Sequence, residues 1–384
     1  RTYTMFVGHE FLAFALAGLG AHRLGGDERA SLWLGAVAAL AALLPDLDVV
    51  YAVATYAAAV AGGTPLGWEA FWGVANGVHR VVTHPLPVGV VGTLVFGATV
   101  VAVRRGRGTN SNLAQPTDST GPNDVEPPSP IARRHSSIPA VAGVAVAVVA
   151  AITLLATFYT TDGGAATLVA AAFLLVVGVV GALAGRRTTA AFAGDRTSLS
   201  PTALTAAAGV GFLTHPFGDV FLAAPPPLLS PFGPPLLTER IVLATDPTLN
   251  LLGILFAEVA TVWAGVAVFS RVTADRLEGV RLRDAVDARA ALGVGYAPAA
   301  FLLPRPTIAD AHVLGFTIVP LAIVVALWAG RSARARLQRA DAEATATADR
   351  SAPARVDAAY VSVVVGLTTL TLAGVAYGAA YLLL

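Results

Sequence analysis

Side chains able to bind metal or move protons gather in four short motifs of this chain. Gly8-His9-Glu10 opens the first apolar segment, and Pro45-Asp46-Leu47-Asp48 closes the second. His79-Arg80-Val81-Val82-Thr83-His84-Pro85 stands just before the third, and Thr214-His215-Pro216-Phe217-Gly218-Asp219 lies towards the end of the sixth. Imidazole and carboxylate together suit Zn, Mn, Fe or Ni, and a shared carboxylate can bridge two ions that activate water at neutral pH. His9, Asp46, Asp48, His79, His84, His215 and Asp219 are therefore the candidate ligands of one or two divalent ions. There is no cysteine, so thiolate nucleophiles and zinc-thiolate sites are excluded.

Local spacing suggests how these groups are aimed. If the chain is extended after the helix-ending Pro45, Asp46 and Asp48 share a face and form a carboxylate pair. His215 and Asp219, four apart, share one face of a helix that Pro216 disturbs locally. His79 and His84 diverge on a regular helix, but Pro85 favours an extended His84, and a loop then turns both imidazoles inward. Arg80 matches a carboxylate or a substrate phosphate in two-pronged geometry. Arg80 and Asp48 are the expected catalytic groups. Each motif alone has an ordinary structural explanation, such as a helix stop for Pro-Asp-x-Asp; their conjunction does not.

The elements that position them are membrane helices. Apolar residues make up 55% of the 384 residues and charged residues only 13%, against roughly a quarter charged in ordinary globular domains. The expectation is an all-α, polytopic helical membrane protein with about ten transmembrane helices, at segments 11–24, 32–44, 86–103, 138–158, 165–184, 202–223, 249–269, 288–303, 308–329 and 358–384. Segment 49–61, too short to span, is expected as a re-entrant or interfacial helix. Arginine clusters at 104–134, 186–187, 271–289 and 331–339 then all face the cytoplasm. That places all four motifs at extracytoplasmic ends of their helices. The net charge of +1 gives no electrostatic surface for nucleic acid. Residues 106–137, rich in Ser, Thr, Pro, Asn and Asp, read as a disordered cytoplasmic linker. Met5 is the expected natural start, and no secretory signal peptide is needed. Asp310 and His312 fall on the motifs' side as weaker candidates, and Glu258 stands inside an apolar span.

Gly-His near the start, Pro-Asp-x-Asp, His-Arg-x-x-Thr-His and the later Gly211-x-x-x-His215-x-x-x-Asp219 resemble the LexA-regulated, inner-membrane-associated metal-dependent hydrolases of the YdjM type. Pro227-Leu228-Leu229-Ser230-Pro231 is similar to that family's apolar ending and proline; His84-Pro85 departs from its usual His-Ser. The resemblance covers about residues 5–235. It implies a hydrolase-like membrane domain at 1–235, with 236–384 as additional C-terminal helices, in a multi-pass inner or plasma membrane protein. The expected activity is metal-dependent hydrolysis of a phosphoester or ester of a lipid-like substrate. The alternative is a transporter or metal-handling protein using the same His/Asp site without hydrolysis.

Overall fold

A computed structural model of the chain describes residues 8–75, 80–113, 138–192, 199–221, 225–277, 282–343 and 351–384. His79 and residues 114–137 of the expected linker lie outside them. The described residues are helical and contain no strand. α1 (Gly8–Arg23) and α2 (Glu28–Leu43) form an antiparallel hairpin. Gly25, at φ 84°, makes its turn, and Asp27 caps α2 by accepting from the Ala30 N–H at 2.7 Å. A 3-10 turn, Pro45–Asp48, leads into α3 (Val49–Ala61), which packs chiefly on α4 (Trp68–Ala75).

α5 (Leu86–Leu113), α6 (Ile138–Thr161), α7 (Gly163–Ala191) and α8 (Pro201–Thr214) complete a first bundle with α1 and α2. Its core includes Phe96, Leu154, Phe158, Leu204 and Phe212. α5 continues through Leu113, into the polar stretch that begins at residue 106. Ser200 caps α8 with Pro201 in its first turn, and α8 lies so close to α2 that a Cβ on Gly211 would stand 2.2 Å from the Ala38 carbonyl oxygen. The short α9 (Pro216–Asp219) follows one residue later.

α10 (Pro247–Val272) packs along α1, with Ala15, Val268 and Val272 in one apolar cluster. α11 (Ala299–Leu302), α12 (His312–Glu343) and α13 (Ser351–Tyr381) build the remaining cores. Seven stretches among the described residues are long and apolar enough to cross a bilayer: Glu28–Ala61, Leu86–Gly106, Val141–Thr161, Gly163–Ala191, Pro247–Val272, His312–Arg336 and Asp357–Tyr381. The expected count of about ten is therefore not confirmed among the described residues. α1 and α8, at 16 and 14 residues, fall short of a spanning length. Segment 288–303 is no single helix but a 3-10 helix, Ala288–Tyr296, followed by the one turn of α11. Gly293, Gly295 and Pro298 disfavour a continuous α-helix there. Even so, Ala290 lies in the core of Val325 and Val365 whereas Ala300 lies in that of Ala373 and Tyr377. Residues 365 and 377 are roughly 18 Å apart along α13. The segment covers that distance because a 3-10 helix rises about 2.0 Å per residue instead of 1.5 Å.

Four arginines lie at one end of the molecule. Arg29 stacks over Phe192 at 4.9 Å, Arg104 binds the Leu199 carbonyl and Thr188 Oγ1, Arg276 pairs with Glu28 at 2.9 Å, and Arg336 approaches Asp287 at 3.7 Å. The four motifs that carry ionisable groups sit at the other end of α1, α2, α5 and α8.

The Gly211 contact is open to test. Gly211→Ala is expected to cost about 1–3 kcal/mol through overpacking against α2. Gly143→Ala, with open space around it, should leave stability unchanged or raised. Thermal unfolding of the two variants in detergent checks the difference.

Candidate metal centre

Local breaks in helix geometry aim each functional side chain. His9 stands in the first turn of α1, and Asp46 and Asp48 in the 3-10 turn that Pro45 starts at the end of α2. The expected extended geometry after Pro45 is thus replaced by a 3-10 turn, for which the fixed φ of proline at its first position is suited. At about three residues per turn, the two aspartates then project in different directions rather than as a pair. Leu47 between them is 44% exposed while both aspartates are buried. His84 and Arg80 come from the loop before α5. Pro216 interrupts α8 at His215, and α9 resumes at once, so His215 and Asp219 both turn inward.

The side chains converge on Asp46. Its Oδ2 lies 3.1 Å from His9 Nε2, and its Oδ1 lies 3.4 Å from His84 Nε2 and 3.8 Å from His215 Nε2. The His215 ring centroid is 4.1 Å from that of His9 and 4.5 Å from that of His84. His84 Nε2 is 3.2 Å from Asp219 Oδ2, which also receives Arg80 Nε at 3.3 Å. Two groups have donor atoms mutually within 4.8 Å: His9, Asp46 and His215, and His84, His215 and Asp219. All four motifs contribute to these contacts, and every one of these side chains is buried.

Asp48 does different work. Its Oδ2 accepts the Arg80 backbone N–H at 2.9 Å and the Thr83 hydroxyl at 2.6 Å. Thr83 Oγ1 is also 2.9 Å from His84 Nδ1, and Asp48 Oδ2 is 3.8 Å from that same nitrogen. This network fixes the face that His84 presents to Asp46 and Asp219. Arg80 adopts φ 73°, the left-handed region that costs a non-glycine residue of order 1 kcal/mol or more. Its backbone and guanidinium are both engaged, by Asp48 and Asp219 respectively, and together hold it there.

The donor set fits a divalent ion. Three buried aspartates face one arginine, so with neutral imidazoles the cluster carries two uncompensated negative charges, which are expensive away from water. Both ring nitrogens of the fully buried His215 lack a hydrogen-bond partner among the described residues, and such a group calls for an explanation. His84, in the loop ahead of α5, shows the same excess of negative charge. Burial, the largest influence, pulls its pKa down, yet Asp219, Asp46 and Asp48 together push it up to about 9. An ion bound there would displace that proton.

Of the residues singled out from sequence, His9, Asp46, His84, His215 and Asp219 come together, with Arg80 against Asp219. Asp48 sits behind them and is in neither donor group. His79 is outside the described residues. Asp310, held by Thr307, and His312, against Phe316, belong to neither group. Two further contributors, Thr83 and Glu10, lie inside the motifs. Thr83 links Asp48 to His84, and Glu10 Oε1 reaches 3.5 Å from His9 Nε2. The first turn of α1, where neighbouring residues can both approach one site, was the signal for Glu10.

If Asp48 and Thr83 orient His84, Thr83→Val and Asp48→Asn should each weaken metal affinity by about 10- to 100-fold without abolishing binding. Competition against a fluorescent chelator measures it. Unchanged affinity in both variants would show that the network does not position His84.

The model of the YdjM inner membrane protein family matches residues 4–282. That match contains all four motifs and extends past residue 235 to include α10. No curated protein and no solved structure matches the chain. With the family matched over well more than half its length and seven stretches able to cross a bilayer, the chain belongs to the YdjM inner membrane protein family and is a multi-pass inner membrane protein.

Proposed function

We propose that the chain is a membrane-embedded metal-dependent hydrolase acting on a phosphoester or ester of a lipid-like substrate at the extracytoplasmic face. The observation that carries this reading is the pair of donor groups sharing His215, built from four separate helix ends. His9, Asp46 and His215 would hold one ion, and His84 and Asp219 would extend the site to a second. A bound Zn, Mn or Fe ion supplies Lewis acidity and water activation at neutral pH.

The remaining residues prepare the site for an anionic group. Arg80 engages Asp219 through Nε. The other donors of its guanidinium suit a phosphate or carboxylate oxygen, and this placement favours stabilising negative charge as it develops. Asp48 acts as a positioning residue, through Thr83 and the Arg80 backbone, rather than as a ligand. Glu10 borders the site beside His9. The arginines support this orientation. The end carrying Arg29, Arg104 and Arg276 suits the cytoplasm, which favours the extracytoplasmic side for the donor cluster.

Purified protein is expected to carry one or two divalent ions by elemental analysis, and His215→Ala and Asp46→Ala to lose them. Hydrolysis of phosphoester and ester lipids should vanish with the metal and fall about 10- to 100-fold in Arg80→Lys, the loss of a charge-assisted hydrogen bond. Metal retained by both ligand variants would contradict the assignment.

Orientation is tested separately on this cysteine-free chain. A cysteine at Leu236 should react with an impermeant maleimide from outside intact cells, and one at Arg276 only after permeabilisation. The reverse pattern would place the site in the cytoplasm.

A further inference from the structure

An apolar groove of about 490 Å³ lies between α1, α2, α10 and α13. Phe14, Ala39, Phe269 and Val363 are among its walls, and Glu10 is the one acid among its described lining residues. Glu10 marks the end nearest the donor cluster, since its Oε1 is 3.5 Å from His9 Nε2. Its Oε2 is buried with no hydrogen-bond partner among the described residues. From Glu10 the groove follows α1 to Phe14, α10 from Gly265 to Phe269, and α13 from Val363 back to Tyr360. That direction leads away from the cluster towards the arginine-bearing end of the molecule. At the far end the Tyr360 hydroxyl is taken up by Ser270 Oγ.

We infer that this groove holds one hydrocarbon chain of a membrane lipid whose head group lies at the donor cluster, with Glu10 at the junction of head and chain. The inference rests on the hydrolase reading only for what happens to the head; seating of the chain does not require it. Two observations select a chain as the occupant. Of the walls, α2, α10 and α13 belong to stretches long and apolar enough to cross a bilayer, so an apolar filling comes from the bilayer. The polar acceptor stands at the cluster end, and a lipid drawn from the leaflet on that side would enter with its chain pointing inward along α1.

The test uses purified protein in detergent with phosphatidylglycerol carrying a diazirine either near the acyl carbonyl or near the terminal methyl. After photolysis, labelled peptides are mapped. The carbonyl-side probe is expected to mark the stretch of α1 holding Phe11 and Phe14, and the methyl-side probe Phe269 and Tyr360. Both should fall several-fold in Ala359→Trp and Val363→Trp, whose positions are exposed in the groove and leave the helix cores intact. Leu175→Trp, on an exposed face of α7, should change nothing. His215→Ala should retain the labelling, since the chain is held without the metal. Labelling spread evenly over exposed apolar positions, identical for the two probes, or undiminished in both filled variants overturns the proposal. Ordered labelling in a protein that hydrolyses no lipid supports the groove and overturns only the hydrolase reading.

Discussion

Three imidazoles crowd one buried carboxylate, that of Asp46, and the rest of the first bundle is arranged to make this contact. With neutral imidazoles, a cluster of three aspartates and one arginine is unfavourable away from water unless a cation completes it. The helices must therefore bring together side chains that would repel or dehydrate one another. α2 ends where Pro45 begins a tight turn, α8 breaks at Pro216, and α5 is preceded by a loop that Asp48 pins at two points. The close approach of α8 to α2 at Gly211 sets how near His215 comes to Asp46. The glycine of the Gly-x-x-x-His-x-x-x-Asp motif is thereby tied to the site through packing rather than through chemistry.

The two aspartates of Pro-Asp-x-Asp illustrate a division of labour. Asp46 faces the imidazoles, while Asp48 faces backward to a hydroxyl and a backbone N–H that fix the orientation of His84. This matches a general feature of metal sites, in which a ligand imidazole is held by a partner on its other nitrogen. The left-handed Arg80 has a similar logic. Its strain is maintained because backbone and side chain are anchored by different acids.

Much of this was legible in the sequence. The all-helical membrane character followed from composition, and the motifs were recognisable because ionisable groups are rare in apolar segments and costly there. Their convergence was readable from the ends of the segments on which they fall. What was not legible depends on backbone detail. A proline after a helix permits either an extended chain or a 3-10 turn, and tertiary contacts to Thr83 and Arg80 favour the latter here. Segment 288–303 has the hydropathy of a helix, but its glycines and Pro298 break it into a 3-10 run and one turn. Thr83 and Glu10 are common residue types whose roles appear only when His84 and His9 are in place.

The central claim is that imidazoles and carboxylates from separate helix ends share a metal ion. X-ray absorption at the metal edge of the purified protein tests it most directly. The expected spectrum shows nitrogen and oxygen neighbours at about 2.0–2.2 Å with imidazole scattering from at least two histidines, and His215→Ala removes one imidazole or the metal altogether. A spectrum without imidazole scattering, or one unaltered in His215→Ala, would contradict the account.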